Sequence, residues 1–166
     1  GSGIQELANM TRTQVLDLIQ KLVELDQFAD VIIVDTGAGI SDTVLEFVAA
    51  SEDVLLVATP EPTSITDAYA LLKTLNKRVS ANPEKTVVKM IANQVHGNRD
   101  AKELFDKLGM VVSKFLDIKV EYIGAVPYDH NMQKAIMKQT PISILDPHSN
   151  TAKAVKNIAG LIDDDM

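Results

Sequence analysis

Four apolar runs punctuate the chain: Val31–Asp35, the start of Asp53–Pro62, Thr86–Val95 and Val120–Asp129. The first is four β-branched residues without a break, the pattern of a strand covered on both faces of a parallel sheet. The second is closed by Pro60 and Pro62, the fourth by Pro127. Between the runs, apolar residues fall at helical spacing. Leu16, Ile19, Leu22, Val23 and Leu25 predict an inward face on a helix over about residues 11–28, started by Thr11 or Thr13. "SDTVLEFVAAS" predicts a short helix capped by Ser41. "TSITDAYALLKTLNKRV" predicts a helix capped by Thr63 or Ser64, with Ile65, Ala68, Leu71, Leu72 and Leu75 turned inward. A long helix follows from Asn98, tolerating Gly109, and a short one lies near residues 130–138. "PISILDPHS" reads as a loop. The closing helix "NTAKAVKNIAGLI" carries the stripe Ala152, Val155, Ile158, Ala159 and Ile162, which reads as core. Met132 and Met137 read as core filler, and the tail Asp163–Met166 as frayed.

Strand and helix alternate throughout. That predicts an α/β fold, a mostly parallel sheet with flanking helices joined by right-handed crossovers. No linker, repeat or low-complexity tract interrupts the chain, so residues 1–166 read as belonging to a single domain.

Composition narrows the function. A net charge of −7 and a pI near 4.9 argue against nonspecific nucleic-acid binding, which needs a basic surface. The same charge disfavours an anionic membrane surface. No apolar run approaches the length of a spanning helix. The absence of cysteine removes disulfides, thiolate metal sites and Cys-ligated clusters, consistent with a cytoplasmic protein. His96, His130 and His148 share no ligand spacing.

If the four strands are parallel, their carboxyl ends share one rim, where open α/β sheets bind ligands. That rim carries Asp35 with Gly37 and Gly39, Thr59 with Glu61, Asn93, and Pro127 with Asp129. An aspartate there can order the water shell of Mg²⁺. Glycines let backbone N–H groups approach a phosphate, and an asparagine offers the donor and acceptor an adenine edge requires. Each is equally a residue type found in turns and caps. A strand aimed at phosphate also raises a difficulty, because nothing in the chain reads G-x-x-x-x-G-K-[ST].

The stretch "DVIIVDTGAGISDTVLEFVAASEDVLLVATPEPTSITDAYALLKTL" resembles the MinD/ParA class of P-loop ATPases, and "GSGIQELANM" with "TPEPTSITDAYALLK" is similar to its FlhG branch, the flagellar number regulators. The resemblance covers essentially all of this chain but only the later part of the family domain. It implies that the phosphate loop lies in a segment preceding Gly1, that residues 1–166 are the C-terminal portion of one ATPase domain, and that "GSG" is native sequence. It further implies that Asp35 is the Walker B aspartate, catalytic and Mg²⁺-ordering through water. Gly37 and Gly39 would open switch II, although relatives often have Pro at the position of Gly37. Asn93, Pro127 and Asp129 would face the adenine of ATP, and Pro60, Glu61 and Asp67 would lie near the dimer and partner face.

The implied function is an ATP-binding, ATP-hydrolysing switch that forms an ATP-dependent homodimer and sets flagellar number or placement with an FlhF-like GTPase or another flagellar or division protein. The alternative is a division-site regulator of MinD type. The basic amphipathic helix that takes such proteins to the inner face of the membrane is not visible after Ile162. Two rivals stand outside that class. One is a nucleotide-free module that binds protein through Pro60–Lys73. The other is a receiver-like domain, for which "GSGIQEL" supplies no preceding strand. The 166 residues alone, without a phosphate loop, are expected not to hydrolyse ATP. The strands Val31–Val34 and Asp53–Ala58 are expected to pair directly, giving a contiguous four-stranded parallel core.

Overall fold

The structure, a computed structural model, describes residues 10–79 and 87–164. The expectations for residues 1–9, for Thr86 and for the last two residues of the tail fall outside the described residues. Helix α1 (Arg12–Val23) opens on a capping box: Thr11 Oγ1 accepts the Gln14 N–H, and Gln14 Oε1 accepts the Thr11 N–H at 2.8 Å. A 3₁₀ turn over Glu24–Gln27 ends it. Then come α2 (Asp42–Ala50), β1 (Asp53–Ala58), α3 (Pro62–Val79), β2 (Val87–Val95), α4 (Asn98–Phe115), β3 (Val120–Pro127), α5 (Asn131–Met137), α6 (Ile142–Leu145) and α7 (Asn150–Asp164).

The sheet has the order β1-β2-β3, and both pairings are parallel. In the β1–β2 ladder Val54, Leu56 and Ala58 stand opposite Val88, Met90 and Ala92, so these six share one face. They form the core with Ala68, Leu72 and Leu75 of α3 and Ala101, Leu104, Leu108 and Val112 of α4. Helix α7 covers the other face over β3. The helix passes close to the strand at Gly124, where a Cβ would lie 2.7 Å from Ile158 Cγ1. Over β1 that face is open, and Leu55 and Val57 are exposed.

Several expectations are corrected. Val31–Asp35 is not a strand: residues 28–41 have no helix or ladder, and the four apolar residues are exposed. The core is therefore three-stranded among the described residues, not four-stranded. Strand propensity expresses the fit of a side chain to a paired, half-buried surface, and no described strand pairs with this run.

Helix α1 buries only Val15, whereas Leu16, Val23 and Leu25 are exposed. Its main packing partner is α2, which is too narrow to cover the whole apolar stripe. Helix α3 starts at Pro62, a residue suited to the first helical turn. Ser64 does not cap it; its Oγ accepts the Thr59 N–H at 2.9 Å. "PISILDPHS" contains the one-turn helix α6. Met137 is 86% exposed and Met132 is not buried, because α5 turns Ala135 inward and Met137 lies on its far side. On α7, Ala152 and Ile158 are core, but Val155 is exposed.

Candidate functional site

Parallel pairing puts the carboxyl ends of β1, β2 and β3 on one edge. Thr59 and Pro60 leave β1 there, Asn93 and Val95 end β2, and Pro127 ends β3. The Tyr128 N–H donates to the Val95 carbonyl at 2.9 Å and fastens the two ends together. The sheet thus gathers Pro60, Glu61, Asn93, Pro127 and Asp129 along one rim, with Asp67 one turn into α3. It does not gather Asp35, Gly37 and Gly39, which lie in the irregular, exposed segment before α2.

Asn93 is committed on one side only. Its Oδ1 accepts the Gln94 N–H at 2.9 Å. Its side-chain NH₂ makes no hydrogen bond among the described residues and remains a donor. The next residue, Gln94, has φ +57°, the left-handed conformation that a side chain adopts at a cost. Residues held in this region of backbone space cluster at active sites, ligand clamps and switch regions.

Asp129 is more heavily engaged. Oδ1 accepts the Asn131 N–H at 2.8 Å at the start of α5. Oδ2 accepts the Thr151 hydroxyl at 3.1 Å, and Thr151 is fully buried in the first turn of α7. The carboxylate therefore joins the end of β3 to α5 and α7. Beside it the rings of His96, Tyr128 and His130 stand in a row, with centroids 5.4 and 5.1 Å apart.

Gly39 has φ +106°, a conformation that favours glycine, and open space surrounds both Gly37 and Gly39. The Asp35 side chain makes no hydrogen bond among the described residues, so both its oxygens are available. This donor set suits Mg²⁺ and a purine nucleotide in part: an oxygen ligand for hydrated Mg²⁺, glycines for phosphate approach and an amide donor for a base edge. The 166 residues contain no Gly-rich loop ending in Gly-Lys to hold the β- and γ-phosphates.

Ser41 caps α2, its Oγ accepting the Val44 N–H at 3.4 Å, as expected. The pattern of residues did not reveal what α2 carries at its centre. Glu46 is buried, and its Oε1 accepts from Arg12 Nε at 3.0 Å and from Arg78 Nη1 at 2.9 Å. One carboxylate oxygen thus ties α1, α2 and α3, with Asp42 adding a 3.5 Å contact to Arg78. A lone acid among the apolar residues of "VLEFV" was the available signal. For Thr151 the signal was weaker, a small polar residue after the Ser149 that caps α7 by accepting the Ala152 N–H.

The description "ParA: NUBPL iron-transfer P-loop NTPase" belongs to a family whose pattern matches residues 8–163. The antiactivator FleN of Pseudomonas aeruginosa is 40% identical over 162 residues, covering 98% of this chain and 56% of FleN. The flagellum site-determining protein YlxH of Helicobacter pylori is 30% identical, over 90% of this chain and 52% of YlxH. Among solved structures, the cell division ATPase MinD of Pyrococcus furiosus superimposes with a TM-score of 0.70 at 21% identity, covering 90% of this chain and 58% of that one. The chain spans about half the length of the curated relatives it matches.

Proposed function

The chain belongs to the ParA family of P-loop NTPases, and from that premise we propose that it forms the later part of an ATP-binding, ATP-hydrolysing switch of MinD type that regulates flagellar number or placement. The observation that carries this reading is the 40% identity to FleN along nearly the whole chain. The 30% identity to YlxH supports the flagellar role over a division-site role, although the septum site-determining protein MinD of Bacillus subtilis is 28% identical over 88% of this chain.

In this reading Asp35 orders the water shell of Mg²⁺, which supplies charge stabilisation to the phosphates when bound. Gly37 and Gly39 leave the backbone N–H groups of switch II open to phosphate. The Asn93 NH₂ donates to the adenine edge, and Pro127 with Tyr128 borders the base. Asp129 positions that border by holding α5 and α7 to β3. Pro60, Glu61 and Asp67 are all exposed, as an ATP-dependent homodimer face or a docking face for an FlhF-like GTPase requires. In this reading the protein works in the cytoplasm or at the inner face of the membrane. No described helix is long and apolar enough to cross a membrane.

The test uses the full-length protein that contains this chain. Asn93→Ala is expected to weaken ATP while affecting GTP less, because a lost base contact acts on recognition. Equal loss of both nucleotides in a binding titration contradicts the adenine assignment. In cells, chromosomal Asp35→Ala is expected to change the number of flagella counted by electron microscopy; unchanged counts with altered division would favour the MinD-type role.

A further inference from the structure

The margin of the sheet farthest from β1 carries a second site, which does not depend on the ATPase reading. β3 is an outer strand: β2 pairs with one side of it and no described strand pairs with the other. Beside that edge lies a cavity of about 380 Å³ lined by Asn98, Lys102, Phe105 and Tyr122. Asn98, Lys102 and Phe105 are spaced by four and three residues and so share one stripe of α4. The buried residues Ala101, Leu104, Leu108 and Val112 form the neighbouring stripe that faces the sheet. Phe105 meets Tyr122 of β3 with ring centroids 5.5 Å apart, giving the cavity an aromatic wall. Burial pushes the Tyr122 phenol above its ordinary pKa, so its hydroxyl stays protonated and able to donate. Lys102 is exposed.

Each part restricts the occupant. A bare edge offers backbone N–H and C=O groups that an extended chain satisfies. An aromatic-walled hollow takes one apolar side chain. A lysine at its mouth takes a carboxylate. The surrounding protein, at −7, repels anionic membranes and nucleic acid far more than it repels one short acidic segment. We propose that this groove binds an extended acidic peptide of a partner protein, which adds to β3 as a further strand, seats an apolar side chain between Phe105 and Tyr122, and places a carboxylate on Lys102.

The β2–β3 register shifts between Met90 and Ile91, leaving Ile123 as an extra residue on β3. Such a bulge interrupts the edge, so strand addition is confined to Val120–Tyr122, beside the cavity. Glu121 points away and is held by Lys119 at 2.6 Å, so it does not oppose the incoming carboxylate. With so short a ladder, the two side-chain anchors set the specificity.

The experiment titrates the isotope-labelled full-length protein with blocked hexapeptides Thr-X-Thr-Asp-Thr-Val, where X is Leu, Val, Phe or Met. X and Asp then lie two apart on one face of the added strand. The control peptides carry Lys in place of Asp. The expected result is binding by at least one Asp peptide, with amide shifts centred on residues 120–122 and 102, and about tenfold weaker binding by its Lys control. Lys102→Glu, an exposed change that leaves the core alone, is expected to reverse that preference. Binding by none of the four peptides overturns the proposal, as does binding indifferent to Lys102→Glu. Pairing of β3 with a second copy of the chain, seen as concentration-dependent association that excludes peptide, also overturns it.

Discussion

Two stretches of this chain have nearly the same character and opposite fates. "VIIV" at residues 31–34 and "VVKMIA" at 87–92 are both apolar and rich in β-branched residues. In the second, Met90 and Val88 are completely buried, with β1 on one side and β3 on the other. In the first, Ile33 is 79% exposed and no ladder forms. The side chains do not account for the difference; the neighbours do. A strand is stabilised by cross-strand pairs and by the layer packed on its faces, and only β2 has both.

The comparison breaks most readily where burial is deepest. Met90→Ala removes a fully buried side chain from the middle of the sheet and is expected to cost about 2–5 kcal/mol in denaturant unfolding. Ile33→Ala is expected to stay within about 0.5 kcal/mol, as exposed substitutions do. A comparable loss at Ile33 would mean that the segment is packed in solution and that the contrast is false.

The opposite kind of change sharpens the same point on β3. A Cβ at Gly124 would sit 2.7 Å from Ile158 Cγ1, so Gly124→Val is expected to cost about 1–3 kcal/mol by overpacking. Adding Ile158→Ala should recover part of it in a double-mutant cycle. Additive losses would show that α7 does not rest where it is described.

Much of the body was legible in the chain. The alternation of apolar runs and helical stripes gives the α/β class, and the caps at Thr11 and Ser41 lie where the residue types put them. Pairing was not legible, because it depends on what stands beside a strand; Val31–Asp35 shows this. Helix exposure was not legible for the same reason: the stripe on α1 has α2 as its main cover, and that is too narrow. At the rim, residue type located Asn93 and Pro127, while the engagement of Asp129 with Thr151 needs a contact across 22 residues that no local pattern contains.

Glu46 ties α1, α2 and α3 together and carries a smaller effect. Its carboxylate is shared by Arg12 and Arg78, whose own exposure limits the penalty of losing it. Glu46→Ala is expected to cost about 1–2 kcal/mol, and Arg12→Ala, at the exposed end, less than about 1 kcal/mol. Equal losses would move the weight of the network to α1.

The smallest effect concerns pH. Tyr122 has a raised pKa in the folded protein because burial disfavours its phenolate. The unfolded chain therefore releases that proton first. The associated stability is intact below the ordinary tyrosine pKa of about 10 and is lost as pH rises through the higher folded value. Tyr122→Phe should flatten that part of the stability profile in alkaline unfolding titrations; an unchanged profile would place Tyr122 in water.

We propose that the exposed loop after Val34 belongs to a nucleotide switch, with Asp35 as its Mg²⁺-ordering group. Steady-state ATP turnover by the full-length protein, wild type against Asp35→Ala, tests it most directly, with nucleotide binding followed by calorimetry in the same samples. The account predicts turnover reduced by about 100-fold or more, with ATP binding weakened far less. Unchanged turnover in a variant that still binds ATP would contradict it and return Asp35 to the role of a turn residue.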